Sequence, residues 1–229
     1  MKTVSIIPAR GGSKGIPRKN LMDFSGRPLL YWSVRQSVDS TLVDATYVTS
    51  DSDEILDQAQ SWGALPIRRP DELSSDTSSS ESALLHALDE IGDDVDTTVF
   101  LQATSPLRKP DDINNAIKMF KSGPADSLFS GAILEDFLVW HREGGELKCL
   151  NANATNRSRR QDRDGISYVE NGSIYITTAE GLRRTQNRMN GRIDIFEMDL
   201  WQSFEIDDRE QAVFCEILFN HYLKLAKTD

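Results

Sequence analysis

A basic, glycine-rich loop follows the first apolar segment of the chain. Within residues 7–20 it carries three glycines and four cations, namely Gly11, Gly12, Gly15, Arg10, Lys14, Arg18 and Lys19. Glycines let a backbone approach a ligand closely and turn amide N–H groups inward, and cations match the charge of a polyphosphate. The spacing fits neither the Walker loop GxxxxGK[ST] nor the dinucleotide fingerprint GxGxxG. Composition alone leaves a plain surface turn as the alternative to an anion site.

Two carboxylates near the other end of the chain form a second candidate site. Glu205 and Asp207 are two residues apart in a segment that we expect to be extended, so their side chains should lie on the same side. Paired carboxylates can share a hard divalent cation. The competing interpretation of Asp207 is an N-cap for the last helix.

The predicted elements place the basic loop directly after the first strand of a sheet. Strands are expected at 3–7, 45–49, 65–67 and 97–101, and helices at 28–39, 53–62, 78–91 and 109–121, with Pro110 in the first turn of the last of these. Alternation of strands and helices over short connections predicts a doubly wound, mostly parallel α/β sheet, whose ligands bind beyond the carboxyl ends of the strands. Further strands are expected at 127–134, 138–141, 172–177 and 193–198. A final helix at 208–225 should bury the apolar side chains of Ala212, Val213, Cys215, Ile217, Leu218 and Tyr222.

Composition excludes several classes of protein. The net charge of −10 argues against nucleic acid or an anionic membrane as a partner, although residues 1–30 hold six Lys and Arg against one acid. No apolar run approaches the length of a membrane span, and we expect a cytoplasmic protein. Cys149 and Cys215 lack the spacing of a zinc site and indicate no disulfide framework.

The loop ending KGIPRKN at 14–20 resembles the signature of the CMP-acylneuraminate synthetase family. Further stretches of that family are matched in order at 69–80 (RPDELSSDTSSS), 101–108 (LQATSPLR), 160–161 (RQ), 171–176 (NGSIYI) and 203–207 (SFEID). The resemblance implies a Rossmann-like fold of the nucleotide-diphospho-sugar transferase type in one domain over 1–229. It also implies that about 135–170 is a dimerisation and sugar-binding extension. The implied reaction transfers CMP from CTP to a sialic-acid-type nine-carbon sugar and releases pyrophosphate.

The resemblance also implies a role for each matched residue. Catalysis falls to Arg10, Lys19 and Asp207. CTP would be bound by Ala9, Arg10, Gly11, Ser13, Lys14, Lys19, Asn20, Arg69, Ser78 and Ser80. The sugar would be bound by Gln102, Thr104, Ser105, Arg160, Gln161, Asn171 and Tyr175. Glu205 and Asp207 would hold Mg²⁺, or Mn²⁺, and some sugar contacts would cross the interface of a homodimer.

Each of these roles has a structural alternative. Asp76 or Ser78 could simply cap the helix at 78–91, and Arg18 could be a solvated surface cation. Ala103 and Glu170 depart from the family pattern. N-acetylneuraminate is the first choice of sugar, and legionaminate, deaminated neuraminate and pseudaminate stay open. The competing classes are a nucleotidyltransferase for another acceptor, such as Kdo or a sugar phosphate, and a nucleotide-binding regulatory module without turnover.

Overall fold

A seven-stranded mixed sheet organises the chain. The computed structural model describes residues 2–13, 15–75, 77–134, 137–156, 159 and 165–224. The strands are β1 (Lys2–Pro8), β2 (Asp23–Phe24), β3 (Arg27–Pro28), β4 (Ala45–Ser50), β5 (Leu65–Arg68), β6 (Val95–Leu101), β7 (Ser127–Ile133), β8 (Trp140–Glu143), β9 (Glu146–Cys149), β10 (Tyr168–Thr178) and β11 (Ile193–Glu197). The helices are α1 (Leu29–Val38), α2 (Asp53–Ser61), α3 (Ser80–Ile91), α4 (Asp112–Ser122), α5 (Ala179–Thr185) and α6 (Arg209–Phe219).

The strand order of the main sheet is β11-β7-β10-β6-β1-β4-β5. All neighbours are parallel except β10, which runs antiparallel to both β6 and β7. Parallel strands need helical crossovers, and these cover both faces of the sheet. The structure confirms the doubly wound, mostly parallel fold.

Successive residues of β1 show how the two faces are filled. Val4 and Ile6 point toward α3 and α5, whereas Ile7 points toward α1, α2 and α4. Side chains alternate across a strand, and because both faces are covered the strand is apolar on both sides. A third cluster packs α6 against the β2–β3 hairpin through Phe24, Cys215 and Phe219.

Two predicted helix starts were wrong. The helix expected from residue 109 begins at Asp112, because the Asp112 carboxylate accepts from the Lys109 amide at 2.7 Å and closes a turn; Pro110 therefore precedes the helix. The N-cap of α3 is Ser79, whose Oγ accepts from the Ser82 amide at 3.1 Å, and not Ser78. Asp76, the other cap that the sequence suggested, lies outside the described residues.

The last helix also differs from the prediction. It starts after Asp208, which caps it together with Gln211, so Asp207 is not the cap. It continues as a π turn over Asn220–Lys224. Cys215 is buried, but Val213 and Ile217 are 60% and 61% exposed, so only part of the expected apolar face is covered.

The region predicted as an extension contains a separate hairpin. In the described part of the chain β8 and β9 pair only with each other, and most of their residues are exposed. The β2–β3 hairpin and α5 were not predicted from the sequence. No helix within the described ranges is long and apolar enough to span a membrane.

The core predicts a clear contrast between two leucines. Leu88 on α3 is 0% exposed, whereas Leu65 on the edge strand β5 is 48% exposed. Leu88→Ala should lower the free energy of unfolding by about 2–5 kcal/mol, because it removes buried apolar volume. Leu65→Ala is the matched control and should change it by about 0.5 kcal/mol or less. Urea unfolding measures both, and equal losses would contradict this assignment of the core.

Candidate active site

The basic loop leaves the end of β1 and is held by backbone and side-chain bonds. The Ala9 amide donates to Thr49 O at 3.0 Å, and the Gly11 amide donates to Asp51 Oδ1 at 2.8 Å. Asn20 Nδ2 donates to Arg10 O at 2.9 Å from a buried position. Ala9 and Asn20 therefore support the loop from the protein side, and Asp51 is a supporting residue that the sequence did not single out.

The second half of the loop packs on the carboxylate segment near the other end of the chain. Lys19 Nζ donates to Ile206 O and to Asp207 Oδ1, both at 2.9 Å. A Cβ atom on Gly15 would lie 2.3 Å from Asp207 O, so only glycine allows this approach. Two candidate sites that are 188 residues apart in sequence thus form one site.

A cavity of about 210 Å³ lies between the loop and the end of β6. Its walls come from the loop, from the start of α3 and from the residues that follow β6; they include Arg10, Gly12, Ser13, Lys19, Asn20, Ser80, Gln102 and Thr104. A second cavity of about 230 Å³ shares Pro8, Arg10 and Ser80 with the first and extends to Arg69 and Ser78. Most of the predicted nucleotide contacts therefore line two adjoining cavities. Lys14 lies outside the described residues.

Arg69 is the buried cation of the second cavity. Its amide donates to Ser50 O at 2.8 Å, and its Nε has no hydrogen-bond partner among the described residues. Burial lowers the pKa of Arg69, the charge of Asp51 opposes this effect, and the like charge of Arg10 adds to it. A buried N–H without an acceptor is costly, so this guanidinium is suited to a ligand oxygen.

Arg10 and Ser78 are linked near the cavities, whereas Arg18 lies on the surface. Ser78 Oγ bonds Ser75 Oγ at 2.7 Å, and Arg10 Nη1 donates to Ser75 O at 3.4 Å, which ties the loop to the serine run. Arg18 is an exposed cation paired with Glu54. This agrees with the surface interpretation of Arg18.

Gln102, which lines the first cavity, and Glu205 both approach Gly172. Gly172 has φ +64°, and an added Cβ would lie 2.1 Å from Glu205 Oε1 and 3.0 Å from Gln102 Oε1. Burial raises the pKa of Glu205, the charge of Asp207 raises it further, and Lys19 and Arg108 lower it. The charge of Asp207 therefore acts on Glu205, and a shared cation at this pair stays a prediction.

Two predicted sugar contacts are engaged within the protein. Asn171 Oδ1 accepts from Ser130 Oγ at 2.6 Å, and its Nδ2 donates to Met198 Sδ at 3.3 Å. Tyr175 is buried, stacks on Phe100 with centroids 5.4 Å apart, and donates its hydroxyl to Glu170. Burial and this hydrogen bond raise the pKa of Tyr175. Neither side chain lines the described cavities, so both stand behind the wall, and their contact with sugar stays a prediction.

The other sugar candidates have different positions. Thr104 lines the cavity, and its carbonyl accepts from the Ile206 amide at 2.9 Å. Ser105 is buried, with no partner for its Oγ among the described residues. Arg160 and Gln161 lie outside the described residues.

Arg108 is a buried residue of the site region to which the sequence assigned no role. Its guanidinium donates to Ser173 O, Ser33 Oγ, Gln36 Oε1 and Gln102 O at 2.7–3.2 Å. Burial lowers the pKa of Arg108 to about 9, against the opposing charges of Asp112 and Glu205. The segment LQATSPLR contained it, but a charge in a turn normally indicates a solvated side chain.

Comparison with known proteins identifies the family. The model of the cytidylyltransferase family matches residues 4–226. The chain belongs to this family. An N-acylneuraminate cytidylyltransferase of Oncorhynchus mykiss is 37% identical over 207 residues, which are 89% of this chain and 47% of the relative. One of Streptococcus agalactiae serotype V is 31% identical over 219 residues, 93% of this chain and 52% of the relative. The chain thus spans about half the length of these relatives.

Solved structures of cytidylyltransferases share the fold. A CMP:2-keto-3-deoxy-manno-octonic acid synthetase complexed with CTP superimposes with a TM-score of 0.72 at 17% identity, over 97% of this chain and 100% of that one. A 4-diphosphocytidyl-2C-methyl-D-erythritol synthase of Anaerococcus prevotii gives 0.69 at 9% identity, over 96% and 98%. At these identities the likeness concerns the fold.

The contact between Gly172 and Glu205 predicts that the loss of stability in Gly172→Ala depends on the Glu205 side chain. Gly172→Ala should destabilise the protein by more than Gly144→Ala, whose φ of +57° is similar but whose added Cβ would meet nothing within 4 Å. The control should lose about 1–2 kcal/mol for the left-handed backbone alone. In a Glu205→Ala background the excess cost of Gly172→Ala should shrink, because the nearest clash is gone. Urea unfolding of the four variants measures this, and an unchanged excess would show that Glu205 does not press on Gly172.

Proposed function

We propose that this protein transfers CMP from CTP to the anomeric hydroxyl of a nonulosonic acid and releases pyrophosphate. The observation that carries the proposal is the Lys19 bridge, which joins the basic loop to the Glu205–Asp207 segment beside one cavity. The names of the relatives, N-acylneuraminate cytidylyltransferases, support the acceptor class. The CTP complex of a protein with the same fold supports the donor.

The loop side of the cavity suits the triphosphate of CTP. Arg10 and Lys19 line it, and Gly12 leaves its backbone open, since an added Cβ there would meet nothing within 4 Å. Fixed cations that face the phosphates stabilise the charge that develops on the leaving pyrophosphate. Arg69 and the serines at 78 and 80 line the adjoining cavity, where the cytidine would lie.

The groups near Gly172 suit a polyhydroxylated acid. Gln102 offers an uncharged amide, and Glu205 and Asp207 offer carboxylate oxygens. In the reaction the sugar oxygen forms a bond to the α-phosphorus in line, the bond from that phosphorus to pyrophosphate breaks, and the sugar keeps its carbon–oxygen bond. The hydroxyl proton is lost in this step, and we propose Asp207 as its acceptor or, with Glu205, as a ligand of a cation. Arg160, on the family pattern, would pair with the sugar carboxylate.

The carboxylate pair fits a divalent cation. Magnesium is usually bound by one or two carboxylates together with substrate phosphates, so a two-carboxylate set beside a phosphate cavity is sufficient. The described residues contain no group of three or more His, Cys, Asp or Glu that could hold a metal on its own. We propose Mg²⁺ at Glu205 and Asp207, with Mn²⁺ able to replace it; when bound it would neutralise phosphate charge.

The first experiment measures pyrophosphate release with CTP and Mg²⁺ against a panel of nine-carbon acids and Kdo. We expect release with one nine-carbon acid, with N-acetylneuraminate first, and a loss on the order of 100-fold in Asp207→Asn. Asp208→Asn is the matched control, because asparagine also caps a helix well and the same charge is removed one residue away. Chelation of the metal should abolish release.

Other results would point to the competing classes. Release with Kdo or a sugar phosphate alone would identify a different acceptor. Silence across the panel in a folded protein that binds CTP would indicate a binding module. An equal loss in Asp207→Asn and Asp208→Asn would remove Asp207 from the site.

We place the activity in the cytoplasm, where its proposed donor CTP is available.

We also propose a homodimer formed through the β8–β9 hairpin. The hairpin and its flanks expose large apolar side chains, at Phe137, Val139, Trp140, Leu147 and Leu150. Clustered exposed apolar groups commonly mark interaction surfaces. Sedimentation at micromolar protein should show a species of twice 25.7 kDa, and Trp140→Asp with Leu147→Asp should shift it to the monomer. Leu65→Asp, on the exposed edge strand, is the control; a wild-type monomer would refute the dimer.

A further inference from the structure

Arg108 carries a charge in the interior, and no carboxylate of the described residues forms an ion pair with it. Its side chain is 1% exposed, and its five N–H groups all donate to neutral oxygens of Ser33, Gln36, Gln102 and Ser173. An arginine has five donors, so the guanidinium is fully satisfied. Burying a charge is costly, and apolar residues of similar volume often stabilise a core as well or better. The stability of the core therefore does not explain an arginine here.

The guanidinium lies where the ladder between β6 and β10 ends. The last paired residues are Leu101 and Ile174, and the next residues along the two strands are Gln102 and Ser173. Arg108 Nη2 donates to Gln102 O at 2.7 Å and to Ser173 O at 2.8 Å, and Nε donates to Ser173 O at 3.2 Å. One side chain thus ties together the two strands at the point where their backbones diverge.

The divergence creates the acceptor side of the site. Between Glu170 and Tyr175 the pairing of β10 with β7 shifts register, and Gly172 lies in this irregularity. Gln102 Oε1 and Glu205 Oε1 both approach the position that a side chain on Gly172 would occupy. Arg108 therefore binds two backbone carbonyls of this region. One belongs to Gln102, whose side-chain amide approaches Gly172, and the other belongs to Ser173, the residue after Gly172.

We infer that Arg108 is a positioning residue that fixes the acceptor half of the site from inside the protein, without touching either substrate. This inference rests on the proposed function, because it assigns Gln102 and Glu205 to the acceptor side. Ser33 and Gln36 of α1 accept from Nη1, both at 3.0 Å, and Ser33 Oγ also donates to Gln102 O at 3.4 Å. The fork is therefore held by a rigid helix while it holds the two strands.

The experiment compares Arg108→Lys with a matched control. Lysine keeps the charge but cannot bridge two carbonyls as a planar fork. Arg183→Lys is the control, since Arg183 Nη2 also donates to two carbonyls, Leu88 O at 3.1 Å and Gly92 O at 3.2 Å. These carbonyls lie at the end of α3, before β6, and line neither cavity. Steady-state kinetics give KM and kcat for the acceptor, and calorimetry gives the Kd of CTP.

Arg108→Lys should lower kcat/KM for the acceptor by on the order of 100-fold, because small displacements of positioning groups cost this much. The Kd of CTP should stay within about twofold in both variants, since neither substitution alters the charge of the protein or a loop contact. Arg183→Lys should leave both constants unchanged. Wild-type kinetics in Arg108→Lys, or equal losses for CTP and the acceptor, would overturn the inference.

A spectroscopic readout separates this inference from the proposed reaction. In ¹⁵N-labelled protein, Arg108→Lys should shift or broaden the side-chain amide signal of Gln102, and Arg183→Lys should not. This test holds even if the wild type turns over no acceptor, which would count against the proposed function alone. If Arg108→Lys does not fold, Gln36→Ala removes one acceptor of the guanidinium, and it should move the same signal by a smaller amount. A Gln102 signal that stays unchanged in the folded variant would refute the role of Arg108.

Discussion

The contact between Lys19 and the segment of Ile206 and Asp207 is the interaction on which the rest of the site depends. It joins the loop after the first strand to the residues just before the last helix, and Gly15 permits the backbones to meet. The contact brings a cation of the loop against the carboxylate of Asp207. Both partners are anchored elsewhere, the loop by Asp51 and Asn20 and the carboxylate segment by the bond from the Ile206 amide to Thr104. The loop that lines the cavity is therefore held in place from both ends of the chain.

Cations line the two adjoining cavities, and carboxylates lie close to them. Arg10, Lys19 and Arg69 belong to the cavity walls, and Asp207 pairs directly with Lys19. The burial of Arg69 and Glu205 shifts the pKa of each toward its neutral form, and neighbouring opposite charges restore part of the charged form. Groups held in this way interact strongly with a charged ligand, because little water competes with them. A protein of net charge −10 can thus keep a local site for anions.

The region around Gln102 and Glu205 depends on interior packing as much as on its own side chains. Arg108 binds the carbonyls of Gln102 and Ser173, and Gly172 leaves the space that Glu205 enters. Behind this wall Asn171 and Tyr175 bind Ser130 and Glu170, which fixes the bulge of β10. Residues of one short motif therefore divide into those that face the cavity and those that hold the facing residues in place.

The sequence by itself determined the sheet, its main helices and the basic, glycine-rich loop after the first strand, because apolar periodicity and glycine spacing are local properties. It also determined the family, since ordered motifs run through most of the chain. Tertiary structure alone decided that Ser79 caps α3, since three adjacent serines have equal local propensity. Likewise it decided that Val213 and Ile217 stay exposed, because helical spacing does not say which face meets a neighbour. The role of Arg108 was hidden for the same reason: a buried arginine and a surface arginine look alike in sequence, and only the long-range pairing of β6 with β10 creates the carbonyl pair that it binds.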